Sequence, residues 1–187
     1  MASVKCFMIE PTKKAKRWFR RFVGTECPLS LGYHSAMVIG DDCEVQIGSS
    51  GTLSVPEFDW NDPRWPEICD CGFEFDQKVI RQTFFEQVYL TPEGMEVTTH
   101  RSELPGIANA PPGSMYYADW MHRRGPDGRC LVLVLPDGGT WFIDGPSSNG
   151  HGTGWTRTGI PPEVTANPSI YTGKYHGWLR NGVLTEC

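Results

Sequence analysis

The sequence predicts an α+β protein that is rich in β-structure and built from short antiparallel strands and hairpins. Three observations support this class. Glycine and proline contribute 21 and 15 of the 187 residues, and both types destabilise helix interiors. Short apolar runs alternate with turn signals along most of the chain, as in strands joined by tight turns. The apolar fraction of 39% and the charged fraction of 21% suit a folded chain, and the length predicts a single compact domain over residues 1–187.

The N-terminal region holds the strongest helical signal, and we predict a basic amphipathic helix over residues 12–23. Thr12 is a suitable N-cap and Gly24 a suitable stop. The apolar residues recur at i, i+3, i+4 and i+7, which share one face of a helix: Ala15, Trp18, Phe19 and Phe22. A second, short helix is predicted over residues 115–122. Residues 78–90 are interpreted as mainly extended, although their pattern also fits a helix.

Two hairpins have clear signatures in the C-terminal half of the chain. The runs 130–135 and 140–144 are joined by Pro-Asp-Gly-Gly. The runs 175–179 and 183–185 are joined through Asn-Gly, a pair of residues that tolerates positive φ. Between the two hairpins, the glycine-rich segment 145–159 is predicted to be a loop.

The seven cysteines point to a metal site rather than to a disulfide framework. Their number is odd and they are scattered along the chain, which does not suit a closed set of intrachain disulfides. Cys69 and Cys71 form the one close pair, and the glycine after them allows the turn that a metal knuckle needs. We predict a zinc ion at this pair. Its role would be structural, because the chain lacks the motifs that hold an activated water.

A structural zinc ion has four ligands, so two more residues must come from elsewhere in the chain. We predict His34 and Cys43 for these two positions. Alternative ligands are Cys27, His100 and His122. The competing interpretation is that the close cysteine pair consists of two partly buried free thiols in a turn.

A basic cluster lies in an otherwise acidic chain, and it is the predicted partner-binding segment. Six of the 17 Lys and Arg residues fall within residues 13–21, which contain no acidic residue: Lys13, Lys14, Lys16, Arg17, Arg20 and Arg21. The rest of the chain has eleven basic and 22 acidic residues, a formal charge of −11. We expect the cluster to contact an acidic protein. Nucleic-acid phosphates are an alternative that the acidic remainder opposes, and a merely solvated face is the other.

The segment 143–159 suggests an alternative, catalytic function. Its polar residues suit the roles of acid, nucleophile, base and anion binder: Asp144, Ser147, Ser148, His151 and Arg157. The segment matches neither a phosphate-binding loop nor a nucleophile elbow. The alternative function is therefore an enzyme of novel type that acts on a nucleotide or a saccharide through the loop 144–157. The competing interpretation of the segment is a surface loop that only connects two strands.

The chain shows no sign of a membrane or secretory destination. Its N-terminus has no apolar stretch of the length that a signal peptide requires. The longest strongly apolar run, residues 130–135, is far too short to cross a bilayer. We therefore expect no membrane association and a reducing compartment.

Short motifs follow one another in a distinctive order over nearly the whole chain: FMIEP at 7–11, GYHSA at 32–36, DPRWPEICDCGFEF at 62–75, APPGSM at 110–115, LPDGGTWFID at 135–144, WTRTG at 155–159 and YHGWLRNG at 175–182. This order resembles a group of uncharacterised proteins encoded by tailed bacteriophages and prophages. The resemblance implies a phage gene product located in the host cytoplasm or in the virion. It implies no activity, fold or site residue.

The predicted function is that of a phage-encoded, non-enzymatic accessory or virion-associated protein. It would bind another protein, of the phage or of the host, and a structural zinc ion would stabilise it. The first alternative is the enzyme described above. The second is a regulator that binds nucleic acid through residues 13–21, whose affinity would fall steeply with salt.

Overall fold

A computed structural model describes most of the chain: residues 3–29, 32–47, 53–54, 59–76, 79–98, 109–119, 121–145 and 154–187. These residues form strands and no helix, so the predicted α+β class is wrong and the described part of the chain is a β-rich fold. None of these residues belongs to a helix that could cross a bilayer. The strands are β1 (Ser3–Lys5), β2 (Phe7–Met8), β3 (Glu10–Val23), β4 (His34–Glu44), β5 (Gln46–Ile47), β6 (Leu53–Ser54), β7 (Ile80–Leu90), β8 (Glu96–Thr98), β9 (Ser114–Tyr117), β10 (Leu131–Val134), β11 (Thr140–Phe142), β12 (Thr156–Ile160), β13 (Glu163–Tyr171), β14 (His176–Arg180) and β15 (Val183–Glu186).

The chain groups into two compact units. We call residues Lys13–Gln87 the inner unit, and Met1–Thr12 together with Val88–Cys187 the outer unit. Strands β3 and β7 each begin in one unit and end in the other. The prediction of a single domain over residues 1–187 stays a prediction.

The predicted N-terminal helix is wrong, because residues 12–23 belong to β3, which pairs antiparallel with β4. Residues four apart share one face in a strand as well as in a helix. Ala15 and Phe19, both buried, therefore satisfy either pattern. Trp18 and Phe22 lie on the other face of the strand and are half-buried. Pairing with β4 determines the conformation of these residues. The spacing of apolar residues within one segment cannot predict pairing with a distant strand.

The short helix predicted over residues 115–122 is also wrong. Its first residues belong to β9, which pairs antiparallel with β10 and parallel with β2. Met115 and Tyr116 are adjacent and both are buried. A strand with successive buried residues is covered on both faces, which removes the alternating pattern that marks a half-exposed strand.

The predicted loop 145–159 is wrong at its C-terminal end, where β12 begins at Thr156. The burial of β12 starts as exposed, buried, exposed, with Arg157 as the buried residue. This alternation is the period of a strand. Residues 146–153 of the predicted loop lie outside the described residues.

The outer unit contains a five-stranded sheet and a four-stranded sheet, with the strand orders β1-β15-β14-β13-β12 and β11-β10-β9-β2. Alternate residues of β10 contribute to two different cores: Leu131 and Leu133 to one, Val132 and Val134 to the other. Both predicted hairpins are confirmed as β10–β11 and β14–β15. The second turns through Asn181 at a φ of 46° and a glycine at 70°, the positive values that its Asn-Gly pair predicts.

The inner unit is built on β4, β3 and β7, which are neighbours in one sheet, and on the short hairpin β5–β6. Residues 59–76 form no named strand and have a single β-bridge between Ile68 and Glu74. The buried Trp65 anchors this segment, because its ring packs edge-on against Phe19 with 5.0 Å between centroids. The segment thereby brings the predicted metal knuckle to the inner unit's sheet.

Candidate metal centre

Four side chains of the inner unit converge on one point and can hold a metal ion: Cys27, His34, Cys69 and Cys71. We call them the metal cluster. Their ligand atoms all lie within 4.8 Å of one another. Three of the four residues are buried, and the fourth, Cys71, is half-buried. Such a concentration of thiol and imidazole groups is typical of a structural metal site.

The Cys-Asp-Cys-Gly turn places two of the donors. The Gly72 N–H donates to the carbonyl of Cys69 at 2.8 Å, and the Cys69 N–H donates to the carbonyl of Phe73 at 2.8 Å. Gly72 has a φ of +89°, a conformation that residues with a Cβ rarely adopt. The glycine after the cysteine pair therefore has the role that the sequence predicts for it.

His34 and Cys27 complete the cluster from two other segments. His34 is the first residue of β4, and its Nδ1 lies 3.1 Å from the Sγ of Cys71. The imidazole stacks on the ring of Phe73 at 4.1 Å between centroids, with 12° between the planes, and this contact fixes the ring orientation. Cys27 follows β3, and its Sγ lies 4.0 Å from the Sγ of Cys69.

The geometry of the cluster fits a tetrahedral zinc ion. With Zn–S bonds of about 2.3 Å, two sulfur ligands of a tetrahedral site lie about 3.8 Å apart. The separation of 4.0 Å between the sulfurs of Cys27 and Cys69 is close to this value. A disulfide would instead require about 2.05 Å. Three thiols and one imidazole are a common donor set of structural zinc sites.

The electrostatics of the cluster also favour a bound cation. Burial raises the pKa of Cys71, and the neighbouring Cys27 and Cys69 raise it further, against a hydrogen bond from the backbone of Phe73. Three thiolates this close together repel one another, so deprotonation is costly without a compensating charge. A divalent metal ion supplies that charge and converts the thiols into thiolate ligands.

The structure brings together three of the four residues predicted to bind zinc, namely Cys69, Cys71 and His34. The predicted fourth ligand, Cys43, is not in the metal cluster: its Sγ lies 3.5 Å from the carbonyl oxygen of Ala15. The pKa of the Cys43 thiol is raised, mainly because the thiol is partly buried. Cys27, an alternative ligand by sequence, is the fourth member of the cluster.

The other two alternative ligands do not join the cluster among the residues that the structure describes. His122 is an exposed residue of the outer unit, and His100 lies outside the described ranges. Sequence spacing could not select Cys27 over Cys43. Cys27 lies between β3 and β4 and Cys43 lies within β4, so the choice depends on how these two strands pair.

The six basic residues predicted to bind a partner lie on both faces of β3 instead of on one helix face. Opposite Lys14 and Lys16, β4 presents Glu44 and Asp42, so two of the cations have acidic cross-strand neighbours. Lys13 is exposed at the start of the inner unit. The six basic residues therefore do not form the single cationic surface that the predicted helix would present.

Two of the three arginines of the segment, Arg17 and Arg20, pack against aromatic rings. The guanidinium of Arg20 lies 4.8 Å from the ring centre of Phe22, and its Nε donates to the Ser35 hydroxyl at 2.9 Å. Arg17 lies 5.8 Å from the ring centre of Phe85. Arg21 is on the same strand face as Arg17, since side chains alternate along a strand. These arginines are ordered features of a mixed aromatic and cationic surface.

Two residues of the predicted catalytic set form a buried ion group in the outer unit. The Arg157 side chain is 2% exposed, and its Nε donates to Asp144 at 3.0 Å while its Nη2 donates to Asp127 at 2.7 Å. Asp144 also accepts the N–H of Leu131 at 2.9 Å. These contacts give the pair a structural role that the sequence did not predict. Ser147, Ser148 and His151 lie outside the described residues.

Comparisons with protein-family models, curated proteins and solved structures give no match to this chain. No site residue is therefore carried over from a relative.

Proposed function

We propose that this protein is a non-enzymatic binding module in which a structural zinc ion shapes the surface that contacts another protein. The convergence of four donor atoms within 4.8 Å, three of them on buried residues, carries this proposal. The donor set provides four protein ligands, so a tetrahedral ion would keep no open position for substrate. Bound zinc would supply folding free energy to the inner unit instead of activating a water molecule.

The zinc ion would join three parts of the inner unit, of which the segment 59–76 has few regular contacts with the paired strands β3 and β4. Cys27 lies in the segment after β3, His34 begins β4, and Cys69 and Cys71 lie in the segment 59–76. The last segment has only one β-bridge among its described residues. A metal ligated by all three parts restrains them together, as in small domains whose cores are too small to fold alone.

The inner unit also exposes more apolar side chains than the outer unit. Ten of the fourteen exposed large apolar residues that the structure describes belong to it: Leu29, Tyr33, Met37, Ile39, Trp60, Ile68, Phe73, Ile80, Phe84 and Phe85. Exposed apolar surface concentrated in one region is typical of a protein interface. Aromatic residues, methionine and arginine are enriched in such interfaces.

The phage context belongs to the proposal and is supported by the motif order alone. A phage gene product with this binding role would be a virion component or an accessory protein in the host cytoplasm. Mass spectrometry of purified phage particles distinguishes the two locations.

The zinc role is tested by metal analysis and hydrogen exchange on the full chain. We expect one zinc per chain, and we expect chelation to remove amide protection across the inner unit while the β14–β15 hairpin stays protected. Metal-free protein with full protection of the inner unit would contradict the zinc role.

The binding role is tested by affinity capture with zinc-loaded protein, followed by reciprocal capture of each candidate. A true partner is lost on chelation and on Ile39→Ser, since Ile39 is 50% exposed in the inner unit. The matched control is Ile160→Ser, since Ile160 is 83% exposed in the outer unit. Turnover of a nucleotide, glycan or peptide bond in an activity screen would contradict the non-enzymatic role.

A further inference from the structure

One face of the inner unit carries tryptophan rings and arginines in an ordered arrangement. Trp60 is 53% exposed, and its ring stacks on the buried Trp65 with 5.7 Å between centroids and 2° between the planes. Arg81, on β7, lies 5.6 Å from the ring centre of Trp65 and donates to the carbonyl of Trp60 at 3.0 Å. The exposed indole is thus held in place by a buried ring beneath it and by an arginine beside it.

A second arginine, Arg21, lies on β3, the neighbour of β7 in the sheet, and the like charges of Arg21 and Arg81 act on each other. Burial, and then the charge of Arg81, lower the pKa of Arg21, while Glu67 partly offsets the shift. The Nε of Arg21 is buried and has no hydrogen-bond acceptor in the described part of the chain. Two guanidinium groups on neighbouring strands are a natural receptor for an anionic oxygen.

We propose that Trp60, Arg21 and Arg81 form a docking site for an acidic peptide segment of the partner protein. A partner carboxylate would accept hydrogen bonds from the two guanidinium groups. An adjacent apolar or aromatic side chain of the partner would stack on the exposed indole of Trp60. This inference rests on the proposed binding function and names the chemistry of the partner. Arginine and tryptophan are the residue types that most often dominate the binding energy of protein interfaces.

Charge around the site favours a peptide over a nucleic acid. Asp41 and Asp62 both pair with Arg64, at 2.6 Å each, and Glu67 acts on Arg21. A nucleic-acid strand carries one phosphate per nucleotide, about every 3.4 Å of helix axis in a B-form duplex. Successive phosphates would approach these three carboxylates of the protein. A peptide with spaced carboxylates can instead place one carboxylate between the two guanidinium groups and keep the others away from the three acidic residues.

The metal cluster belongs to the same segment as the two tryptophans. Trp65 and Cys69 are separated by only three residues, and the backbone of Phe75 bonds back to Glu67 at 2.8 Å. A zinc ion at the cluster would therefore restrain the segment that carries the site. Peptide binding is expected to weaken when zinc is removed.

Fluorescence anisotropy on zinc-loaded full-length protein tests this inference. The probe is a labelled peptide of about ten residues that alternates glutamate pairs with phenylalanine. The control probes are the same peptide with glutamine in place of glutamate and a labelled oligo(dT). The variants are Arg21→Gln with Arg81→Gln, and Trp60→Ala. The matched control is Arg123→Gln, an exposed arginine of the outer unit.

We expect the acidic peptide to bind, the glutamine peptide to bind at least tenfold more weakly, and the double arginine variant to lose about tenfold in affinity. Trp60→Ala should lose about fivefold, and Arg123→Gln should match the parent. Equal binding of both peptides, no binding by zinc-loaded protein, or tighter binding of oligo(dT) with a steep salt dependence would overturn the inference. If protein that holds one zinc ion fails these binding tests, the docking site is refuted and the structural role of zinc is unaffected. A chain without zinc contradicts the proposed function itself.

Discussion

Replacing Arg157 by methionine removes the centre of the buried ion group in the outer unit. The Arg157 side chain is 2% exposed and that of Asp144 is 5% exposed. Methionine has a similar length but no donors, so Asp144 keeps only the N–H of Leu131 among the contacts described above. Asp127, whose side chain is 33% exposed, can instead turn to water. The cost therefore falls on one buried carboxylate.

The expected loss of stability is about 3–5 kcal/mol, since that is the usual cost of leaving one member of a buried ion pair alone. For a unit of this size, the free energy of unfolding falls by about 1–3 kcal/mol per molar urea. A loss of about 4 kcal/mol therefore lowers the unfolding midpoint by about 2 M urea. The matched control is Arg129→Met, because the Arg129–Asp119 pair is 47% and 44% exposed. Exposed pairs contribute at most about 1 kcal/mol.

The assay is urea unfolding of the full chain, followed by hydrogen exchange of β10 and β12, which report on the outer unit, and of β4, which reports on the inner unit. The result that refutes the reasoning is a midpoint for Arg157→Met within about 0.5 M of the parent, or one equal to that of Arg129→Met. Either result would show that the ion group contributes no more than a surface pair.

Three further predictions concern thiols, protons and the knuckle. Iodoacetamide should label the exposed Cys187 in native protein. After chelation it should also label the three thiols of the metal cluster, but not Cys6, which is buried with a pKa raised to about 12. The same labelling with and without the chelator would contradict this prediction. Hydrogen bonds from the buried arginine hold the pKa of Asp127 well below its ordinary value, so the unfolded chain takes up a proton near pH 4 that the folded chain does not. The contribution of Asp127 to stability should be complete above that pH and should fall as the pH drops towards the pKa of the folded state. The urea unfolding midpoint of Asp127→Asn should therefore fall less than that of the parent over this pH range. The same fall of the midpoint with pH in both proteins would contradict the prediction. Gly72→Ala should weaken zinc binding about tenfold in a competition titration, because φ is +89°, whereas Gly173→Ala, at a φ of +86° in the outer unit, should leave zinc affinity unchanged.

The sequence was sufficient for features that depend on neighbouring residues. The Asn181-Gly182 hairpin and the Cys69–Cys71 knuckle each require backbone conformations that only a few residue types adopt, and both are present. His34 was also predicted among the zinc ligands, and it lies in the metal cluster. In these cases the residue type itself restricts the local geometry.

Features that depend on distant pairing could not be predicted in the same way. The spacing of Ala15 and Phe19 fits a helix and a strand equally, and pairing with β4 decides between them. The choice of Cys27 over Cys43 follows from the same pairing. The glycines before Arg157 predict a loop, whereas pairing with β13 places Arg157 in the sheet.

Native mass spectrometry of Cys27→Ser beside Cys43→Ser tests the central claim most directly. The two substitutions are chemically identical, and they separate the cysteine in the metal cluster from the one that lies outside it. The account predicts one zinc per chain in the parent and in Cys43→Ser, and loss of that zinc in Cys27→Ser. A parent without zinc, or a Cys27→Ser variant that keeps its zinc while Cys43→Ser loses it, would contradict the account.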